Sequence, residues 1–456
     1  MFKEEWYLEK ERKQNQFFTR KALIYLIIPL IIEQFLAVAV GMADTIMVAS
    51  VGESAVSAVS LVDSINILLI NVFGALATGG AVVAGQFIGK NKHKKASEAG
   101  EQLIIFVTLF SVILMFLLYL ARNFILNVVF GSIEPIVEEY AHRYMTIVFA
   151  SIPFIALYNS GAALFRAMGN SNITMKTSLI MNTINVVGNA TLIYGFGMGV
   201  EGAAIPTLVS RIVAAIIIIL LLRDQELIIH IGRPFKFKLN WDMVKDILYV
   251  GIPNGIENSL FQLGKIMLLS VVSTFGTSAI TANAVANNIT AFQFLPGVAI
   301  GLAMVTVVSQ CAGAGDYEQA RFYTRKLLKY CYISIMAINL VIFLILPIAL
   351  KAYNLSVETA ELARKIIIFH GINVCISWPL GFALPNTLRA AKDVKYAMIV
   401  SISSMWIVRI GLGIFFAKYL AFGVFGVWIG MICDWYVRAL FFTRRYRGEK
   451  WELVRV

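Results

Sequence analysis

Charge is what this chain has least of. Only 14% of its 456 residues are Asp, Glu, Lys or Arg, where a water-soluble protein carries about a quarter, so most of the chain cannot face water. Cysteine is sparse too: Cys311, Cys331, Cys375 and Cys433 all fall in the second half without CxxC spacing. That excludes a disulfide framework and a zinc site. The histidines His93, His142, His230 and His370 stand apart, so no metal centre is expected. No GxxxxGK[ST] loop is present, which argues against ATP hydrolysis within the chain. A cleavable signal peptide is not expected either. The first apolar run follows a charged leader, Lys3 to Lys21, exceeds a signal h-region in length and lacks a small-residue cleavage site.

What is present is hydrophobicity, 59% of residues, in runs of about 20 residues, each long enough to cross ~30 Å of hydrocarbon. Spans are expected near 22–48, 59–84, 103–120, 144–165, 177–198, 203–222, 247–273, 284–308, 328–350, 366–388, 397–417 and 424–443. The fold class is therefore all-α integral membrane, with about twelve transmembrane helices. The chain has 39 basic against 27 acidic residues, a surplus that in a soluble protein would suggest nucleic-acid binding. Its placement excludes that partner. Thirty basic residues fall on the side of the N-terminus, counting Lys329 and Arg438 in the span ends that face it, and six (Arg122, Arg143, Lys351, Arg364, Lys365, Lys418) on the other, with Arg211, Lys265 and Arg409 deeper inside spans. This is the positive-inside pattern, so both termini are expected in the cytoplasm of a multi-pass protein of the cell membrane.

Shifting the sequence by 224 positions brings landmarks into coincidence. Pro29 meets Pro253, and Glu33 meets Glu257. Gly52-x-Ser54-Ala55 meets Gly276-x-Ser278-Ala279, and Gln86 and Gly89 meet Gln310 and Gly313. Gly199-Val200-x-Gly202 meets Gly423-Val424-x-Gly426. In the middle the register slips by one, so that Arg166-Ala167 pairs with Arg389-Ala390. Two six-span halves of the same orientation are parallel repeats, with a substrate site expected between them. The expected lobes are 1–230 and 231–456. The polar stretch 223–246, with Gly232, Arg233, Pro234, Lys236 and Lys238, is the linker. Two lobes rocking about a cleft suit alternating access, and the matched prolines Pro29 and Pro253 are the candidate bends.

Acidic groups at bilayer depth cost about 2.5–3.5 kcal/mol on insertion scales, so each is a candidate site. Glu33 and Asp44 share one face of the first span, about three turns apart. The seventh span carries Glu257 with Asn254, Asn258 and Gln262. There Glu257 either faces the cleft or is neutralised by Lys265 two turns on. The fifth span carries Asn182, Asn185 and Asn189, as ligands or as interhelical glue, and the sixth carries Thr207. Asp434 with Arg438 is expected as an i,i+4 pair near the cytoplasmic end. Asp63 is expected to be solvated at the outer end of the second span. Asp44, with no basic residue within two turns on its helix, is the strongest candidate for binding a cation or a proton.

Several motifs taken together resemble the multidrug and toxic compound extrusion (MATE) family. They are Met42-Ala-Asp44-Thr45, Gly85-Gln86-x-x-Gly89, Leu164-x-Arg166-Ala-x-Gly169, Asn185-x-x-x-Asn189, Gly199-Val-x-Gly202-Ala-Ala, Leu295-Pro296-Gly297 and Gln310-x-x-Gly313-Ala-Gly315. The similarity runs from about Ala22 to Arg447. It implies an antiporter that exports small organic, often cationic and lipophilic, compounds against sodium or protons, with no cofactor beyond that coupling ion and with the bilayer as its surroundings. A monomer is expected. The resemblance implies a cation site of Asp44, Asn185, Asn189 and Thr207. The drug site expected beside it is Glu33, Glu257, Gln262 and Trp378, where anionic groups would attract lipophilic cations and aromatic faces would add cation–π attraction. DinF-like members usually carry Asp where Asn189 stands. NorM-like members carry acids near Phe261 and at Trp378, so that pair is absent or rearranged here.

Three other classes are weighed. A lipid-linked oligosaccharide flippase of the same superfamily would need a more basic cavity for pyrophosphate, whereas the deep charges lean acidic. An integral-membrane enzyme would need clustered His or Asp at a membrane face. A sugar-porter-type facilitator would carry a Gly-x-x-x-Asp-Arg-type loop where Gly89-Lys-Asn-Lys-His-Lys-Lys stands.

Overall fold

The structure, a computed structural model, describes residues 17–131, 133–232 and 238–453. Most of the charged leader, and the linker residues Arg233, Pro234 and Lys236, lie outside the described residues. The described chain is helical throughout and forms twelve rods. These are α1 (Arg20–Ala49), α2 (Glu53–Gly89), α3 (His93–Val128), α4 (Pro135–Ala150 with Ile152–Ala167) and α5 (Ser171–Ala190). They continue as α6 (Glu201–Leu221), α7 (Trp241–Ser273), α8 (Thr277–Gln293 with Leu295–Gly313) and α9 (Tyr317–Ala352). The last three are α10 (Val357–Ala390), α11 (Val394–Tyr419) and α12 (Gly423–Arg447). Among the described residues, nine helices, or ten when the 44° kink of α4 is counted as one span, are long and apolar enough to cross a membrane. The polar rods α5 and α7 complete the twelve. An even number of rods puts both ends of the described chain at one face of the bundle, the terminal face; the opposite one is the distal face.

Backbone conformation preserves the repeat more faithfully than side chains do. Positive φ occurs among the described residues at Gly52, Asn91, Gly131, Gly169, Gly197 and Gly199, and at Gly276, Gly315, Asn354, Lys392, Ala421 and Gly423. These are six pairs at the repeat shift, with the one-residue slip at Gly131/Asn354 and Gly169/Lys392. Each lies at a turn between rods, where a positive φ re-aims the chain; Gly52 and Gly276 do so as the N-caps of the following rods. The slip is undone before Ala421, along α11, which contains a π-helical stretch over Ser404–Ile410. A π turn takes an extra residue into a helix without moving its ends.

Two cores form, and they interlock. The first-half core, built from α2 to α6, also takes Met243 and Ile247 of α7. The second-half core takes Leu23, Leu26, Ile27 and Leu30 of α1. Farther along, α1 returns to the first core through Met47 and Val48, and α7 returns to the second through Leu268 and Val272. Each repeat's first helix therefore crosses from the other lobe's core into its own, and Pro29 and Pro253 sit near the crossings.

At the terminal face a reciprocal seam joins the lobes. The Gln86 Nε2 of α2 donates to the Ala390 carbonyl at 2.9 Å, and the Gln310 Nε2 of α8 donates to the Ala167 carbonyl at 2.8 Å. Thr306 Oγ1 donates to the Arg166 carbonyl at 3.1 Å. Gly89 lies against the Gln310 backbone and Gly313 against that of Gln86, so closely that a Cβ on either would overlap the opposing chain. Gly79 meets the backbone of Ile247 and Gly251 in the same way. These contacts all fall in the terminal halves of the rods, which makes the space between the distal halves of the two lobes the candidate cleft.

Candidate cation site and cleft

In the first lobe the structure brings together residues of α1, α2, α4, α5 and α6. Asn189 Nδ2 donates to Asp44 Oδ1 at 2.8 Å. With the Asn185 amide oriented to satisfy both of its ends, its N–H donates to Asp44 Oδ1 at 2.9 Å and its carbonyl accepts from Thr207 Oγ1 at 3.1 Å. Asn185 and Asn189 are one turn apart on α5 and so face Asp44 as a pair. All four residues of the expected cation site therefore meet. Beside them is a cavity of about 120 Å³, lined in part by Asp44, Asp63, Tyr144, Asn189 and Thr207, room enough for a small cation with water. The buried Asn189 Oδ1 has no hydrogen-bond partner, so the site keeps an oxygen acceptor in reserve.

Asp63 and Tyr144 are the residues that sequence reasoning missed here. Asp63 is not solvated at the end of α2; it is partly buried, lines this cavity and accepts from the Tyr144 hydroxyl at 3.3 Å. Behind them lies Arg211 of α6, buried and held by Asn66 Oδ1 at 3.2 Å and Ser151 Oγ at 2.7 Å, within electrostatic reach of Asp44 and Asp63. With both acids ionised, two carboxylates face one guanidinium. The pocket is one positive charge short, and its donors are oxygens, the chemistry that suits a hard monovalent cation or a proton.

The expected drug-site residues are placed otherwise. Glu257 does not pair with Lys265. It takes both its oxygens to Arg389 Nη2, at 2.6 and 2.8 Å, with both side chains buried. Its repeat mate Glu33 lies 3.7 Å from Arg166 and accepts from Thr174 Oγ1 at 2.9 Å. The repeat thus conserves a whole ion pair, Glu from its first rod and Arg from its fourth. The physical reason is cost: a carboxylate at this depth is tolerated once a guanidinium is beside it. Neither Glu33 nor Glu257 is left as a bare anion for a cationic drug.

Trp378 is buried in the second core, stacked on Phe294 at 5.8 Å and Phe382 at 5.4 Å, with its ring edge against Gly297. It packs there rather than on the cleft wall. Gln262 is half-buried on α7. Asp434 and Arg438 form the expected pair at 2.8 Å, but deep within the lobe, fully buried, with Ser404 donating to Asp434.

Breaking one of the symmetric pairs is expected to be costly. Glu257→Gln leaves Arg389 buried without its counter-ion and should destabilise the protein by about 3–5 kcal/mol. Joint replacement by Glu257→Leu and Arg389→Met should recover most of that loss. Thermal melting of the purified protein in detergent checks both.

The MatE family model matches residues 29–191 and again 253–415, the second match displaced by the same 224 positions as the sequence repeat. The chain belongs to the MATE family. Its similarity extends over whole proteins. It is 27% identical over 455 residues to a probable multidrug resistance protein NorM of Thermotoga maritima, covering 98% of this chain and 95% of that one. It is 26% identical to an uncharacterized transporter, YisQ, of Bacillus subtilis, covering 93% of each. Among solved structures it matches a multidrug resistance MATE transporter in the outward-facing conformation, with TM-score 0.88, 23% identity and coverage of 94% and 96%. A transporter from Pyrococcus furiosus whose binding pocket is described as of reverse polarity matches with TM-score 0.85 and 22% identity, covering 94% of this chain and 95% of that one. As a MATE protein the chain is a membrane transporter and not an enzyme. The matched structures confirm the all-helical fold of two repeated lobes.

Proposed function

We propose that this MATE protein is a cation-coupled antiporter that exports small organic compounds from the cytoplasm by alternating access, working as a monomer in the cell membrane. The observation that carries this is the first-lobe pocket, one positive charge short, in which Asp44, Asn185, Asn189 and Thr207 converge. Sodium or a proton is the coupling substrate. Sodium would draw on Asp44, Thr207 and the spare Asn189 carbonyl; a proton would sit on Asp44 itself. The charge asymmetry supports a cytoplasmic terminal face, and on that reading a seam closed at that face corresponds to a cleft open outward. Because α1 crosses between the two cores near Pro29, binding at Asp44 on its distal half is positioned to bias how its terminal half packs, the differential contact that coupling requires.

The cationic-drug expectation loses its main support, since Glu33 and Glu257 are taken up by arginines. Export itself is tested with the purified protein in liposomes, sodium and proton gradients imposed separately and a panel of fluorescent dyes as cargo. One gradient should drive dye movement and the other should not. Movement indifferent to both gradients would overturn the proposal.

A further inference from the structure

Most charges inside the membrane have a partner, and those left over differ in sign between the two lobes. Glu33 is matched by Arg166, Glu257 by Arg389 and Asp434 by Arg438, while Arg211 answers only one of the two first-lobe acids, Asp44 and Asp63. In the second lobe two cations remain, Lys265 of α7 and Arg409 of α11. Among the described residues neither has a carboxylate within 4 Å; Asp434, already paired with Arg438, is the acid within electrostatic reach of Arg409, and Lys265 and Arg409 are close enough to repel each other. The second lobe thus reverses the charge imbalance of the first.

Their placement is that of a binding wall. On α7 the exposed apolar residues Tyr249, Ile252, Ile256, Leu263 and Met267 form one stripe, which suits lipid. Asn254, Asn258, Gln262 and Lys265 recur at helical spacing on the opposite side, partly or fully exposed, with the exposed Leu269 one turn beyond Lys265. Asn258, Gln262 and Lys265 fall in the distal half of α7, beyond the seam that joins the lobes. One turn before Lys265, the Phe261 ring is within cation–π range of two guanidiniums, Arg409 at 5.2 Å and Arg438 at 5.5 Å. Arg409 is buried, its Nε has no hydrogen-bond partner, and it rides on the π-helical stretch Ser404–Ile410. A buried guanidinium N–H without an acceptor is costly, and π turns are frequent at functional sites.

The repeat points the same way. The 224 shift places Leu268 opposite Asp44 and Met431 opposite Thr207, and, within the π-helical stretch along which the one-residue slip is undone, Arg409 opposite Asn185. Where the first lobe gathers a carboxylate and an amide, the second offers an apolar side chain and a guanidinium.

We infer that the second-lobe wall of the cleft, Lys265 and Arg409 with Gln262 and Asn258, binds an oxyanion group, a carboxylate or phosphate, carried on an apolar body of the cargo. This rests on the antiporter reading for its transport role, although binding itself does not depend on coupling. The guanidinium and ammonium supply charge-assisted hydrogen bonds, and the apolar body lies against Phe261. The expected cargo is an organic anion or zwitterion rather than a simple lipophilic cation.

The test is fluorescence-polarisation binding of a matched dye pair to the purified protein, rhodamine 110 with its free carboxylate and rhodamine 123, its methyl ester. The acid should bind roughly tenfold to a hundredfold more tightly than the ester. Lys265→Gln, at an exposed position, should remove most of that preference. Arg409→Gln should do the same, and Arg409→Lys should restore part of it, which guards against a merely structural role. Asp44→Asn should keep the preference while losing coupled transport, so failure of the antiporter reading is distinguishable from failure of this one. Displacement by decanoate or by decyl phosphate tells which oxyanion is preferred. Equal binding of acid and ester, tighter binding of the ester, or binding of neither dye overturns the inference.

Discussion

Replacing Asp44 with Asn is expected to abolish gradient-driven export while leaving the fold intact. The substitution is nearly isosteric, so the hydrogen bonds that Asn185 and Asn189 direct at this position need only re-orient their amides. What disappears is the charge. With Asp63 set against Arg211, Asp44 is the acid that leaves the pocket one positive charge short, and an amide can neither hold sodium by charge nor carry a proton at neutral pH. Coupling between two ligands of one protein is typically worth on the order of 5–150-fold in affinity. Once it is lost, cargo binding should become independent of sodium and pH, and export under a gradient should fall to the level of protein-free liposomes. The variant should purify at normal yield with an unchanged melting temperature. Gradient-driven export that persists in the variant would move the coupling site elsewhere.

A valine at Gly89 or Gly313 should be nearly as damaging, by a different route. Each glycine faces the opposing backbone across the seam, beside Gln310 and Gln86 respectively, without space for a Cβ. Because the obstacle is main chain, relief requires the lobes to part at the terminal face rather than a side chain to turn. The reciprocal Gln86–Ala390 and Gln310–Ala167 hydrogen bonds would then break together. Cys311, wholly buried beside Gln310, reports the event. In a variant retaining only that cysteine, a membrane-permeant maleimide should leave the parent unlabelled and modify the Gly89→Val protein. Transport should fall, since a seam that cannot close removes one of the two alternating states. Continued protection of Cys311 in a folded Gly89→Val protein would show that the seam is not the closure.

The residues of the cation site were legible because an acid, amides and a hydroxyl stand out inside apolar runs, and they meet. Asp63 was misjudged because its position along α2 suggested water, whereas its surroundings come from α4 and α6, far away in sequence. The Glu–Arg pairs were half visible. The repeat had matched Glu33 with Glu257 and Arg166 with Arg389, but only packing reveals that each matched acid meets a matched base. Trp378 was misplaced because its face on α10 is set by its stacking between Phe294 and Phe382 and by the π turn Pro379–Ala383 just beyond it. The deep charges leaned acidic when counted along the chain. In space the balance in the second lobe reverses, because its acids are each answered by an arginine while Lys265 and Arg409 remain.

The central claim is that a cation moves through the first-lobe pocket in exchange for cargo. It is tested most directly in liposomes that hold the purified protein and an internal reporter of sodium or of pH, with cargo applied on one side only and no ion gradient imposed. The account predicts that cargo movement drives sodium or protons the opposite way in fixed proportion, and that Asp44→Asn abolishes this ion flux. Cargo movement with no accompanying flux of either ion would contradict it.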